Sequence, residues 1–429
     1  MPWCGLWSLL LPLALAAAAS SGPGDLVFAG IRLRPPLSSS LSRLGISQPT
    51  PIQAAAVAPL TAGASCILHA ETGSGKTLAY LLPLLKRLLG TADRSPFQAV
   101  VVVPTKELAV QVAADIKALL GADALDQRQH PLVHLCIGSS GTIRSPIVVG
   151  TPFRLLETVT APGFGESIDS VRYVVVDEVD RLLAVPGRYA PTEALRQARK
   201  DINPTVRLLE VLVKARGGLD KADVQFVAAS ATIGRPLRRS LSKLLLASDE
   251  YADFVVIRPA QEASPEDRRD KGRKVSVPAS IRHTVVMADG DTDQLTAKLA
   301  TAKKVWRSAG ARRGILFVPS ADDVKQVVGV LQFWGVKEAA DLQESLGISS
   351  PKPAKGKAPA RIASSGELIS RAAESGIGSA SRVMSAGDDR ELFVLPVSGA
   401  RGLHIQDAQL VLVLTPPHTM DEVRANSMY

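Results

Sequence analysis

The sequence predicts an α/β protein with two parallel-sheet domains in tandem, the second incomplete. Three observations carry this. Short apolar runs alternate with amphipathic stretches along most of the chain, the signature of βαβ units. The alternation breaks at one charge-dense segment and then resumes. The 429 residues suit two domains of ordinary size better than one core. Composition agrees, since 46% hydrophobic and 21% charged residues describe a globular chain and exclude a disordered one.

The chain opens MPWCGLWSLLLPLALAAAASSG. Residues 9–19 form an apolar run ending in small side chains, like the core of a secretory leader, but no Lys or Arg precedes it. The first arginine is Arg32, so an Arg-rich transit peptide is also a poor match. Residues 1–24 are set apart as a leader-like segment. A plastid or mitochondrion, the cytoplasm and the nucleus stay open as destinations. No stretch is long and apolar enough for a confident bilayer span, so no stable membrane association is expected.

Residues 25–258 form the first predicted domain. Its apolar runs are Cys66–Leu68, Ala99–Val103, Leu132–Ile137, Ile147–Val149, Tyr173–Val176 and Phe226–Ala229, with helical stretches at Thr77–Leu89 and Lys106–Leu120 among them. Residues 259–278 (PAQEASPEDRRDKGRKVSVP) read as a linker, its basic residues a solvated run or a polyanion contact. Residues 279–429 resume the pattern with strands at His283–Met287, Gly314–Val318, Leu392–Val397 and Leu410–Leu414 and helices at Gln294–Arg307 and Ala321–Trp334. A Pro/Lys/Ala/Ser-rich stretch marks an expected disordered insertion near 345–385.

Charge and rare residues narrow the function. Fifty Lys+Arg against 41 Asp+Glu give +9, which favours polyanionic partners. Aromatics are only 4% of the chain, which weighs against base-stacking platforms. Cys4, Cys66 and Cys136 lack CxxC spacing, against a disulfide scaffold or a Cys zinc site. The six histidines show no ligand spacing, and His69 reads as a strand-end residue.

Ala70-Glu71-Thr72-Gly73-Ser74-Gly75-Lys76-Thr77 follows an apolar run and opens a helix. Backbone N–H groups of such a turn wrap phosphate oxygens, with the positive helix end aimed at them. Lys76 reaches the outer phosphates and Thr77 can ligate Mg²⁺. Tyr173-Val-Val-Val-Asp177-Glu178-Val179-Asp180 supplies carboxylates at another strand end. Asp177 is placed to hold the metal and Glu178 to polarise an attacking water. The two together point to nucleoside triphosphate binding, where an acidic helix start alone would not.

With these motifs the chain resembles a DEAD-box ATP-dependent RNA helicase, in superfamily 2, over most of its length. The resemblance implies tandem RecA-like domains, with ATP, Mg²⁺ and RNA as ligands. Pro49-Thr50-Pro51-Ile52-Gln53 resembles the Q motif, and Phe28 lies 17 residues before Gly45, where the family has an upstream aromatic. By that resemblance Gln53 reads adenine and Phe28 stacks on it. AETGSGKT is the family's phosphate loop. Pro104-Thr105-Lys106-Glu107-Leu108-Ala109 resembles P-T-R-E-L-A, Gly138–Gly141 stands for a GG pair, and Thr151-Pro152-Phe153-Arg154 resembles T-P-G-R. These imply RNA contacts at Pro104, Thr105, Lys106, Gly138, Thr151 and Arg154, mostly to phosphates and sugars. Ser230-Ala231-Thr232 matches the S-A-T element that couples hydrolysis to strand separation, although alone it would read as a helix cap. Asp177 and Ser230 are 53 positions apart, longer than the family spacing, which places an insertion near Ala190–Asp223.

The departures also carry expectations. Lys106 keeps the charge but loses the arginine fork, and Phe153 restricts close backbone approach where the family has glycine. Ala400-Arg401-Gly402-Leu403-His404 resembles A-R-G-L-D with His404 at the aspartate position, which leaves Arg401 as a γ-phosphate contact. No Q-x-x-R precedes Leu392, and the terminal arginine-rich element does not appear before Tyr429. The leading expectation is an RNA helicase and ATP hydrolase that is slow as written. The alternative is an ATP-gated RNA clamp with little turnover, and a third class is a phosphate-loop protein acting on something other than RNA.

Overall fold

A computed structural model describes residues 24–414 apart from 94, 122–130, 139–142, 163, 165–167, 184–202, 215–216, 220–222, 247–253, 260–281, 283, 288–293, 321–322, 349–364, 375–389, 401–404 and 406. The leader-like residues 1–23, the linker from 260 onward, Arg401 and His404 lie outside the described residues.

A short antiparallel hairpin, β1 (Leu26–Phe28) and β2 (Ile31–Leu33), leads into α1 (Leu37–Arg43) and α2 (Pro51–Thr61). Seven parallel strands follow: β3 (Cys66–His69), β4 (Ala99–Val102), β5 (Val133–Cys136), β6 (Ile147–Gly150), β7 (Tyr173–Asp177), β8 (Gln225–Ser230) and β9 (Val255–Ile257). Their spatial order is β5-β6-β4-β7-β8-β3-β9. The helices between them are α3 (Lys76–Leu89), α4 (Lys106–Leu120), α5 (Pro152–Val159), α6 (Val179–Leu183), α7 (Pro204–Leu212) and α8 (Arg235–Leu245).

The strand sequences explain the layering. β4 (AVVV) and β7 (YVVVD) are buried along their whole length, as parallel strands covered on both faces must be. Successive side chains enter opposite cores. Val101 and Val175 pack with Leu81, Leu85 and Val110 from α3 and α4, whereas Val100 and Val174 pack with Leu155, Leu208 and Leu241 from α5, α7 and α8. Cys66 is inside this core, and burial pushes its thiol pKa up to about 12.

The second lobe holds a four-stranded parallel sheet, β10 (Arg313–Val318), β11 (Ala339–Asp341), β12 (Glu391–Pro396) and β13 (Leu410–Val413), in the order β11-β12-β10-β13. Its helices are α9 (Gln294–Ala309), α10 (Asp323–Phe333), α11 (Leu342–Ser345), α12 (Ser365–Glu374) and α13 (Val397–Ala400). Trp306 anchors one face: it is fully buried, and its indole N–H donates to Glu338 Oε1 at 2.8 Å. The other face joins the first lobe, because Phe317, Phe393, Leu368 and Ile369 belong to the same core as α4. Lys117 Nζ donates to Ser370 Oγ at 3.3 Å, and Gln343 Nε2 donates to Glu107 Oε1.

Two expectations are corrected. His283–Met287 is not a strand where described; Thr284–Met287 is irregular, with Val285 90% and Met287 80% exposed. Strand propensity without a neighbour to complete the ladder does not make a strand. The expected disordered insertion near 345–385 contains a helix, α12, because Leu368 and Ile369 find buried positions beside α4. The expected insertion at 190–223 contains α7, which packs between α5 and α8. Among the described residues, no helix is long and apolar enough to cross a membrane.

Candidate functional site

Strand register sets the site. Asp177 on β7 pairs with Ala229 on β8, and His69 on β3 pairs with Ser230 on β8, so three strand ends finish at one level. In open parallel sheets, that carboxyl edge is where ligands bind.

The loop leaving β3 turns through Gly73 (φ +77) and Gly75 (φ +93) before α3 begins. At Gly75 a Cβ would run into the Gln53 carboxamide and stand 3.1 Å from Thr50 Oγ1, so glycine is required by space as well as by backbone angle. Gln53 is buried. Its Oε1 accepts from the Thr50 N–H at 3.0 Å, and its Nε2 donates to the Gly75 carbonyl at 3.1 Å. One N–H and one lone pair remain on the amide, the pairing a purine edge needs. Lys76 Nζ donates to the Ala70 and Glu71 carbonyls at 2.8 and 2.7 Å, so the loop holds its own lysine. Ser74 Oγ is buried without a partner among the described residues, a polar atom inside a cradle of backbone donors.

The acidic strand end faces this loop. Asp177 Oδ2 accepts from the Tyr80 hydroxyl at 2.9 Å and Oδ1 accepts from the Glu178 N–H at 2.9 Å. Burial raises the Asp177 carboxyl pKa; the Lys76 charge and the Tyr80 bond act against that rise. The Tyr80 phenol is held well above its usual range, by burial first and the Asp177 charge second, so it remains a donor. Thr77 stands one helical turn before Tyr80 on α3. Tyr80 thus ties Asp177 to the start of α3, which also carries Thr77. The Thr77 hydroxyl and Asp177 carboxylate oxygens are hard donors of the kind Mg²⁺ takes beside water and phosphate, so the site fits that ion. Among the described residues no three His, Cys, Asp or Glu side chains form a metal cluster of their own.

Glu178 turns the chain from β7 into α6 at φ +51, an unusual angle for a residue with a side chain. Asp180 Oδ2 accepts from Thr232 Oγ1. Ser230 Oγ accepts from the Thr232 N–H and donates to the Thr232 carbonyl, both at 3.0 Å, and the Ser230 carbonyl accepts from the Ala70 N–H at 3.3 Å. Ser230-Ala231-Thr232 thus ties the acidic strand to the base of the phosphate loop.

The expected RNA contacts lie along the same edge, past β4, β5 and β6. Thr105 caps α4, its Oγ1 accepting from the Leu108 N–H at 3.2 Å, while Lys106 is exposed. Pro104, Gly138 and Thr151 are half-buried at their strand ends. Arg154 pairs with Glu157 at 2.7 Å. Phe28 departs from expectation: at 1% exposure its ring is sealed in the core and is not open to a nucleotide. Phe28 ends a three-residue strand paired with β2, and its ring joins the core of the first lobe. Sequence reasoning missed Tyr80, which follows Thr77 by one helical turn, and Arg258, whose Nε donates to His69 Nδ1 at 3.1 Å. Burial, then the Arg258 charge, lowers the His69 pKa, keeping the ring neutral as a strand-end partner.

Comparison with known proteins agrees with this geometry. Residues 50–240 match the family model described as DEAD/DEAH box helicase. DEAD-box ATP-dependent RNA helicase 47A of Oryza sativa subsp. japonica is 29% identical over 353 residues, 75% of this chain and 58% of that protein. The mitochondrial DEAD-box ATP-dependent RNA helicase 47 of Arabidopsis thaliana is 27% identical over 341 residues, 71% of this chain and 57% of that one. The chain spans less than two thirds of the length of these relatives. Among solved structures, Mss116p bound to ssRNA and AMP-PNP superposes with a TM-score of 0.61 at 18% identity, over 92% of this chain and 69% of that chain, which shows a common fold of two RecA-like domains. The matched segment begins at Thr50, takes in the phosphate loop and the Asp177–Asp180 strand end, and runs past Thr232: over that segment the chain is similar to the DEAD/DEAH box helicases.

Proposed function

We propose that this protein binds ATP with Mg²⁺, binds RNA, and hydrolyses ATP to remodel or unwind short RNA duplexes. The observation that carries the reading is the Asp177 carboxylate held by Tyr80, one helical turn along α3 from Thr77 and from the Gly73–Gly75 loop that opens that helix. The names of the relatives, ATP-dependent RNA helicases, and the ssRNA and AMP-PNP held by Mss116p support it. The Arabidopsis relative, named as mitochondrial, supports an organellar address.

In this reading Lys76 leaves the Ala70 and Glu71 carbonyls for the outer phosphates, and the N–H groups of Gly73–Gly75 surround the inner ones. Gln53 offers its remaining donor and acceptor to adenine. Thr77 and Asp177 hold Mg²⁺, which when bound neutralises phosphate charge. Glu178 takes a proton from the attacking water. The Thr232–Asp180 bond carries a change at the acidic strand to the S-A-T turn, and Arg401 adds positive charge from the second lobe. RNA is held by Pro104–Lys106, Gly138, Thr151 and Arg154.

Single-turnover hydrolysis by the full chain, with and without RNA, tests the proposal. RNA-stimulated turnover is expected; ATP and RNA binding without turnover would leave the clamp. Lys76→Ala is expected to weaken ATP binding at least about tenfold, through loss of charge-assisted hydrogen bonds to phosphate. Equal ATP affinity in that variant would reject the phosphate site. Tyr80→Phe keeps the ring but removes the hydroxyl that donates to Asp177. The Mg²⁺ concentration needed for half-maximal ATP binding should rise about tenfold, the usual cost of losing a partner behind a metal ligand. An unchanged Mg²⁺ titration would reduce Tyr80 to a space-filling residue.

A further inference from the structure

Phe153 stands where the resembled T-P-x-R element has glycine, between Thr151 and Arg154. It is the second residue of α5, at the carboxyl end of β6 on the edge that carries the other proposed RNA contacts. Its surroundings differ from those of most phenylalanines in the chain. Phe28, Phe97, Phe226 and Phe317 are buried to 1% exposure or less, whereas Phe153 is 61% exposed. In a protein with only 4% aromatics, a large ring left in water at a ligand edge is conspicuous.

The ring is also held. The Arg154 guanidinium carbon lies over it, 5.6 Å from the centroid, and the same guanidinium is fixed by Glu157 at 2.7 Å. Ring and guanidinium are thus a preformed pair of planar groups before any ligand arrives. With Arg154 covering one face, the remaining exposed surface of the ring is apolar, flat and directed to solvent. Glycine at this position offers no surface of that kind.

We propose that Phe153, backed by Arg154 and Glu157, is a stacking platform for one unpaired base of the bound RNA. This deepens the RNA reading above and rests on it. The backbone contacts expected at this edge are electrostatic and indifferent to the base; the platform adds an apolar contact at the base itself. Every nucleobase has a π-face, so the contact strengthens binding to single strands without selecting a sequence.

The test uses the full chain, a non-hydrolysable ATP analogue, and a single-stranded RNA carrying 2-aminopurine, titrated at several salt concentrations. Wild type should quench the fluorescent base. Phe153→Ala should weaken RNA binding about tenfold, as loss of a stacking ring does elsewhere, with an unchanged slope of log affinity against log salt and with the quench lost. Phe153→Trp should retain both. Arg154→Gln should instead make the slope shallower by about 0.7, the signature of one lost phosphate contact on a single strand. Phe333→Ala, which removes an 88% exposed ring on α10, is the control and should change nothing. Unchanged or tighter binding by Phe153→Ala would overturn the platform and make the ring inert or an obstruction, and an equal loss in Phe333→Ala would overturn it as general stickiness. If wild type binds no RNA at all, the RNA reading itself falls; if wild type binds and Phe153→Ala matches it, only the platform falls.

Discussion

Glu178→Gln should lower the single-turnover rate of ATP hydrolysis by about 10²–10⁴, the usual contribution of a positioned general base, while ATP and RNA still bind. Glutamine copies the shape of the side chain, and it leaves the φ +51 backbone of residue 178 and the N–H bond to Asp177 as they are. What it removes is the proton acceptor. Asp177 is not expected to substitute, because in this reading its carboxylate is committed to the metal while Tyr80 and the Glu178 N–H hold it in place. Hydrolysis rates and ATP and RNA affinities of the same preparation decide the matter. A rate within a few fold of wild type would move the base elsewhere; a parallel loss of ATP affinity would show that Glu178 shapes the pocket instead.

Gly75→Ala should be the more damaging of two glycine replacements in the phosphate loop. Gly73 and Gly75 both sit at positive φ, so alanine at either costs about 1–2 kcal/mol in backbone strain. Around Gly73 a methyl group meets nothing within 4 Å, but at Gly75 it enters the space of Gln53. The displaced carboxamide would lose its bond to the Gly75 carbonyl and, in the proposed reading, its contact with adenine. Gly75→Ala should therefore lower thermal stability more than Gly73→Ala and weaken ATP binding about 100-fold, taking two lost charge- or dipole-assisted contacts together. Calorimetric titration with ATP checks the ranking. Equal effects of the two substitutions would mean that Gln53 moves aside freely and that strain alone matters.

Both predictions draw on parts of the site that local sequence encodes directly. A glycine turn between an apolar run and a helix has few other uses, and acids at the end of YVVV can only emerge at the sheet edge. Tyr80 was not legible for the opposite reason. In LAYLLPLL an aromatic at helical spacing reads as one more core residue, and only the fold shows its hydroxyl reaching 97 positions along the chain to Asp177. Phe28 erred the other way, since a spacing cannot reveal that a hairpin closes over the ring. α4 shows the limit most clearly. Glu107, Gln111 and Asp115 recur every fourth residue, which reads as a solvent face, yet all three are buried. α12 lay hidden because two apolar residues in a polar stretch fall below any periodicity signal, and their burial depends on a partner helix some 250 positions earlier.

The way α4 meets the second lobe bears on how the molecule could cycle. Leu368 and Ile369 supply grease, but Glu107 with Gln343 and Lys117 with Ser370 are groups that water can serve almost as well. Phe317 and Phe393 lie in that same apolar core, so the seam is greasy first and stitched by two polar bonds second, and parting it would wet a broad oily face.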